Sequence, residues 1–234
     1  MKKRLIMIDN KTFSVIITTY RRYDTLGQVI QGWLDNNPDQ LWVIDNKSGY
    51  KLEERHKGKV VLFSMPIDLT TRVDYAFAML TEGDFVVLAD DDAVVAPGFL
   101  EDMYNGWKKV GGGIVGVIGR QFTSDRYIKC KHFRAEKIIE PARTGSIGII
   151  YITPREYLGF DTRGMETIDD DLFWLMNKHP EVPKHIIPTK KYRNLLTGND
   201  ADCLFHASQS ERKIRNGCYQ KYYFENYKPF NKLY

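Results

Sequence analysis

Three consecutive carboxylates, Asp90, Asp91 and Asp92, close an apolar run, Phe85-Val86-Val87-Leu88-Ala89. Adjacent acids repel one another, and a cation held among them offsets that repulsion. Hard oxygen ligands suit Mg²⁺ or Mn²⁺, which one or two carboxylates can hold while substrate phosphates fill other positions. The plain alternative is a solvated acidic turn or a group of helix N-caps. A second acidic cluster, Asp169-Asp170-Asp171, stands before Leu172-Phe173-Trp174-Leu175-Met176, which reads as the start of a helix.

The elements around these residues decide what they can do. The run before Asp90 is β-branched, apolar and bounded by turn signals, so it reads as a buried strand, with a turn following towards Pro97-Gly98. Its last residues emerge at the carboxyl end of a sheet, where open α/β folds place their ligands. Phe13 to Thr19 is another strand, followed by Tyr20-Arg21-Arg22. Leu41 to Ile44 is a third, followed by the turn Asp45-Asn46-Lys47-Ser48-Gly49. Between these two, Leu26, Val29, Ile30, Trp33 and Leu34 recur at helical spacing, with Asp24 as N-cap and Pro38 beyond the end. Lys59 to Met65 is a strand, and Thr70 to Leu80 a helix with Val73, Phe77 and Leu80 on one face. Pro97 opens a helix over Phe99, Leu100, Met103 and Trp107, which Gly111-Gly112-Gly113 ends. Ile114 to Ile118 and Gly148 to Ile152 are further strands flanking a basic section, Arg126 to Arg143.

This alternation predicts an α/β fold with a mostly parallel sheet and helices on both faces. In such a sheet Thr19, Arg22, Asp45, Arg72 and the Asp triplet converge on one crevice. A nucleoside diphosphate conjugate suits it, because a metal at the acids would neutralise the diphosphate. Other readings stay open: Arg21 and Arg22 as surface cations, Asp45-Asn46 as turn chemistry, Arg72 as an exposed helix residue.

A chain of 234 residues, 43% hydrophobic, can bury a substantial core in one domain. Its 34 basic and 30 acidic residues leave only +4, which does not mark a nucleic-acid binder, although the stretch from Lys184 onward is rich in Lys, Arg and Tyr. Three cysteines, Cys130, Cys203 and Cys218, match no metal spacing and give no disulfide framework. No run reaches the length of a membrane span, and the apolar start stops at Asp9-Asn10. These features predict a soluble protein of a reducing, cytoplasmic compartment.

Taken in order, Ile17-Thr18-Thr19-Tyr20-Arg21-Arg22, Val43-Ile44-Asp45-Asn46, Arg72 and Val87-Leu88-Ala89-Asp90-Asp91-Asp92 resemble the GT-A glycosyltransferase pattern. The likeness runs from about residue 13 to 215 and is similar in its tail to the exostosin-like branch. It implies a single GT-A (Rossmann-like) domain, with about 13–113 as the nucleotide-sugar half and about 114–234 as the acceptor half and tail. It implies that Thr19, Arg22 and Asp45 frame the nucleotide, and that Arg72 neutralises the donor or orients Asp90. Asp90 would contact ribose or sugar, Asp92, with Asp90, would hold Mn²⁺ or Mg²⁺, and Asp91 would shape the turn within the donor motif. Asp170, with Asp171, would supply the general base, kept ionised by a helix dipole; a simple N-cap cluster stays open. His206 would be a metal ligand, and Arg212 and Lys213 would steady the leaving diphosphate. The chain departs from the pattern at Arg21, where many relatives have Asn, and at Thr71-Arg72, where Ala-Arg is usual. Three acids at 169–171 leave the register of the late pair open.

The resemblance therefore implies a metal-dependent glycosyltransferase moving a sugar from a nucleotide sugar, UDP-linked for preference, to a hydroxyl of a glycan. A modified-DNA acceptor is the less favoured partner. A nucleotidyltransferase shares the acid-held metal, but it needs a Gly-rich loop that Thr18 to Arg22 lacks. A Ca²⁺-binding or carbohydrate-binding module would need alternating acids and no second cluster. A base at Asp170 implies inversion at the sugar carbon, whereas the exostosin-like likeness implies retention.

Overall fold

The computed structural model describes residues 8–47, 49–69, 72–122, 130–159 and 181–195. The order begins β1 (Phe13–Thr19), α1 (Tyr23–Asp35), β2 (Gln40–Asp45), β3 (Val61–Ser64), α2 (Arg72–Ala78) and β4 (Phe85–Asp90). It continues with β5 (Ala93–Val95), α3 (Phe99–Lys109), β6 (Ile114–Phe122), β7 (Cys130–Arg134), β8 (Ala142–Arg143), β9 (Ser146–Pro154), β10 (Lys184–Ile186) and β11 (Tyr192–Asn194). One sheet runs β3-β2-β1-β4-β9-β6-β10-β8, with β7 also on β6, and β5 and β11 form a separate ribbon.

The first four strands of the sheet are parallel. From β1 the chain crosses through α1 to β2 on one side; from β3 it crosses back through α2 to β4 on the other. The order reverses between β2 and β4, about β1, and that switch point opens a crevice at the strand carboxyl ends. β9 then enters antiparallel between β4 and β6.

Alternation along the strands assigns two apolar layers. On one face Phe13 and Phe85 stack, with Tyr104 and Trp107 of α3 edge-on to Phe85, while Trp33 of α1 meets Phe99 edge-on. On the other face Phe77 of α2 covers Trp42 and Phe63. Each such ring pair adds about 0.5–1.5 kcal/mol beyond its area burial. Gly32 lets α1 lie directly on β5, since a Cβ there would fall 2.6 Å from the Val95 carbonyl oxygen. Gly113, at φ +92°, turns the chain into β6 where a Cβ would lie 2.2 Å from the Pro183 carbonyl oxygen.

Several local expectations are corrected. α1 starts at Tyr23, so Asp24 lies in its first turn rather than at the cap. α2 ends at Ala78, and Leu80 lies beyond it, 67% exposed, instead of on its apolar face. The chain after Asp92 makes the short strand β5 before reaching Pro97, because β11 is there to pair with it. α3 begins at Phe99, with Gly98 in the left-handed conformation at its cap. Among the described residues no helix is long and apolar enough to cross a membrane.

Candidate active site

Register fixes the site. Thr19, at the end of β1, pairs with Asp45 of β2, and Thr18 pairs with Asp90 of β4. Three strand ends therefore place Asp45, Thr18-Thr19 and Asp90 side by side across the edge of the sheet.

Asp91 and Asp92 turn inward after β4 and are 5% and 7% exposed. Asp91 accepts hydrogen bonds from the Thr19 hydroxyl and from Arg22, both at 2.7 Å, and Arg22 also stands 3.4 Å from Asp92. Burial pushes Asp91 up; Arg22 and Thr19 pull it back towards the ionised form. Asp90 remains exposed at the mouth. Desolvation by the strand ends around it, then the charges of Asp92, Asp91 and Asp74, raise it well above the carboxylate range. Since its side chain still reaches solvent, the repulsion is the sturdier of those causes.

Asp74 is a fourth carboxylate that no sequence pattern singled out. It lies in the first turn of α2 and accepts a hydrogen bond from the Thr18 hydroxyl. Burial and the charge of Asp91 push it up to about 7, against that hydrogen bond. Its only sequence signal was its position two residues after Arg72, the first residue of α2.

Asp45 is fully buried. One oxygen accepts from the Tyr23 hydroxyl at 3.0 Å, and the other from the backbone N–H groups of Gly49 and Tyr50 at 2.6 and 2.7 Å. It thereby shapes the loop after β2. Asn46 continues the work: its side chain donates to Asp68 and accepts from the Leu69 N–H, and so fixes the approach to α2. Tyr20 stands exposed at the mouth, with the Arg21 guanidinium 5.2 Å and the Lys47 ammonium 5.7 Å from its ring centre. The structure thus gathers Thr19, Arg22, Asp45, Asp90, Asp91 and Asp92 at one crevice, with Arg72 opening the neighbouring helix. Asp169, Asp170, Asp171, His206, Arg212 and Lys213 lie outside the described residues.

The donor set suits a hard divalent cation, being all carboxylate with one member open to the crevice. Among the described residues no three Asp, Glu, His or Cys side chains are grouped so that they could hold a metal ion. Mg²⁺ and Mn²⁺ are ions that one or two protein carboxylates can hold while substrate oxygens fill the remaining positions.

A doubly wound sheet whose switch point carries an acidic cluster, with an antiparallel strand inserted beside it, is the GT-A fold. The match of residues 14–153 to the model of glycosyl transferase family 2 shows that the chain belongs to that family. Solved structures share the fold. The crystal structure of S. aureus TarS 1–349 superposes with a TM-score of 0.58 at 14% identity, over 77% of this chain and 59% of that one. GalNAc-T7, determined with UDP, GalNAc and Mn²⁺, superposes with a TM-score of 0.63 at 14% identity, over 95% of this chain and 50% of that one. This chain therefore spans between half and three-fifths of their lengths. No curated protein sequence matches it.

Proposed function

We propose that the chain transfers a sugar from a nucleoside diphosphate sugar, UDP-linked for preference, to a hydroxyl of a glycan, with Mn²⁺ or Mg²⁺ as cofactor. The observation that carries this is the alignment of Asp45, Thr19 and Asp90 on adjacent strand ends, with Arg22 bridging Asp91 and Asp92. The UDP and Mn²⁺ bound to GalNAc-T7 support the choice of donor and metal.

In this reading residues 13–113 bind the donor, and 114–234 form the acceptor half. The loop shaped by Asp45 receives the nucleoside, and Tyr20 offers a ring to it. Asp90 and Asp92 hold the metal, with His206 as a further ligand. The metal, when bound, neutralises charge on the departing diphosphate. Arg22 orients Asp91 and Asp92 and sets positive charge beside them, so their geometry is set before the donor arrives. Arg72, Arg212 and Lys213 add positive charge at the phosphates. Asp170, or its neighbour Asp171, takes the proton from the acceptor hydroxyl. The odd cysteine count supports a reducing, cytoplasmic setting.

The test is transfer and hydrolysis from a panel of UDP-, GDP- and other nucleotide sugars with Mn²⁺. Release of a nucleoside diphosphate supports the reading, and release of pyrophosphate would assign a nucleotidyltransferase instead. It fails if no donor binds or turns over and Asp92→Ala leaves ligand binding intact. The anomeric configuration of the product separates inversion through Asp170 from retention. A steep loss of acceptor affinity with salt would favour a nucleic-acid acceptor over a glycan.

A further inference from the structure

Ile149 has φ +69°, a left-handed conformation that its β-branched side chain makes costly. The register shows why the backbone bends there. Gly116 pairs with Tyr151, and Ile118 with Gly148, so β9 carries three steps against two on β6. That is a bulge, a feature that recurs beside active sites. On the other flank, the last pair between β9 and β4 is Ile150 with Ala89. The next place in that register sets Ile149 opposite Asp90. β9 therefore parts from β4 at the carboxylate that stands open.

The neighbouring residue makes the strain informative. A Cβ built on Gly148 would meet nothing within 4 Å, so no close approach requires glycine there. A chain that needed only to turn would place its glycine one position later, where the left-handed conformation costs nothing. Isoleucine holds that position instead, half-buried against the core. Strain kept at the rim of a site points to a side chain retained for what it touches.

The strand order says what stands beside it at the sheet edge. Asp45 on β2, Thr19 on β1, Asp90 on β4 and Ile149 on β9 follow one another along the sheet edge. Three strand spacings amount to about 14 Å. A donor laid along that edge with its nucleoside at Asp45 and its diphosphate at Asp90 brings its sugar to Ile149.

We propose that Ile149 is a specificity-determining residue, the apolar wall of the crevice beside Asp90 that limits the bulk of the donor sugar's substituent. This rests on the nucleotide-sugar reading given above. An aliphatic wall accepts the C–H face of a sugar ring and excludes a large polar substituent by volume and by desolvation.

The experiment compares wild type with Ile149→Gly and Ile149→Ala. It measures kcat/KM for a UDP-hexose and the matching UDP-N-acetylhexosamine, UDP affinity by calorimetry, and thermal unfolding. Ile149→Gly is expected to raise Tm, leave UDP affinity unchanged and shift the ratio of kcat/KM about tenfold towards the bulkier donor. Ile149→Ala is expected to show the same shift without the gain in Tm. A rise in Tm with an unchanged ratio in both variants would reduce Ile149 to a turn residue and overturn the proposal alone. A wild type that neither binds nor turns over any nucleotide sugar would overturn this inference and the proposed function together.

Discussion

The guanidinium of Arg22 stands 2.7 Å from the carboxylate of Asp91 and 3.4 Å from that of Asp92, so one cation from the loop after β1 secures two of three consecutive acids. The third, Asp90, is left facing the crevice. The triplet therefore divides by degree: Asp91, held by both Arg22 and Thr19, belongs to the architecture, Asp92 is shared between the longer Arg22 contact and the metal role proposed above, and Asp90 is open to a ligand.

That division separates stability from activity. Arg22→Ala removes the neighbouring cation from two poorly hydrated carboxylates and should destabilise the fold by about 3 kcal/mol. Asp90→Asn removes repulsion among the acids and should unfold no earlier than wild type while losing sugar transfer. Urea unfolding of the two variants beside activity checks both halves, and equal destabilisation would contradict the assignment.

Asp74 should make the metal-free protein less stable as pH rises. Its folded value of about 7 lies above the ordinary 3.8, so between those values the folded chain binds more protons than the unfolded one. Stability from this group is complete below pH 3.8 and lost as pH climbs through 7. In chelator at pH 8, Asp74→Asn should be more stable than wild type by roughly 2–4 kcal/mol. The gap should close on acidification. A constant gap would remove Asp74 as its source.

His56 acts in the opposite sense. It is fully buried, and neither ring nitrogen has a hydrogen-bond partner among the described residues. Burial holds its pKa below the ordinary 6.5, so the unfolded chain takes up the proton first. Stability is present above pH 6.5 and falls as pH drops below it. His56→Leu should flatten that acid limb of the urea midpoint, and an unchanged slope would count against it.

A divalent ion should raise Tm by mass action, because the folded acids bind it and the unfolded chain does not. Thermal unfolding with and without Mn²⁺ should show a gain in wild type that Asp92→Asn loses. A gain of equal size in Asp92→Asn would place the ion elsewhere.

Much of this was legible in the sequence because strands and helices carry different apolar periods. Phe85 to Ala89 reads as a buried strand from its composition, and the apolar runs before Thr19, Asp45 and Asp90 put all three at strand ends. A continuous apolar run such as Gly148 to Ile152, however, reads the same whether it lies parallel or antiparallel to its neighbours. Asp74 was invisible for a different reason. A lone acid in a first helical turn has no signature, and only β1 packing beneath α2 brings Thr18 to it. Asp45 read both as turn chemistry and as a nucleotide contact. The structure gives it two donors within its own loop and a third from Tyr23 at the start of α1, and its neighbour Thr19 carries the link to Asp91.

The N–H of Leu195 donates to the carbonyl oxygen of Asp92 at 2.7 Å, continuing the pairing of β11 with β5. The acidic turn is therefore completed by a strand synthesised long after it. Such a long-range pairing is slow to close during folding. While the chain emerges from the ribosome, residues 13–113 can form their parallel strands, but the segment beside the carboxylates stays a bare edge until residues 192–194 arrive. Residues 13–113 by themselves thus leave β5 without its pairing partner. A fragment ending before β11 would expose that edge to other chains.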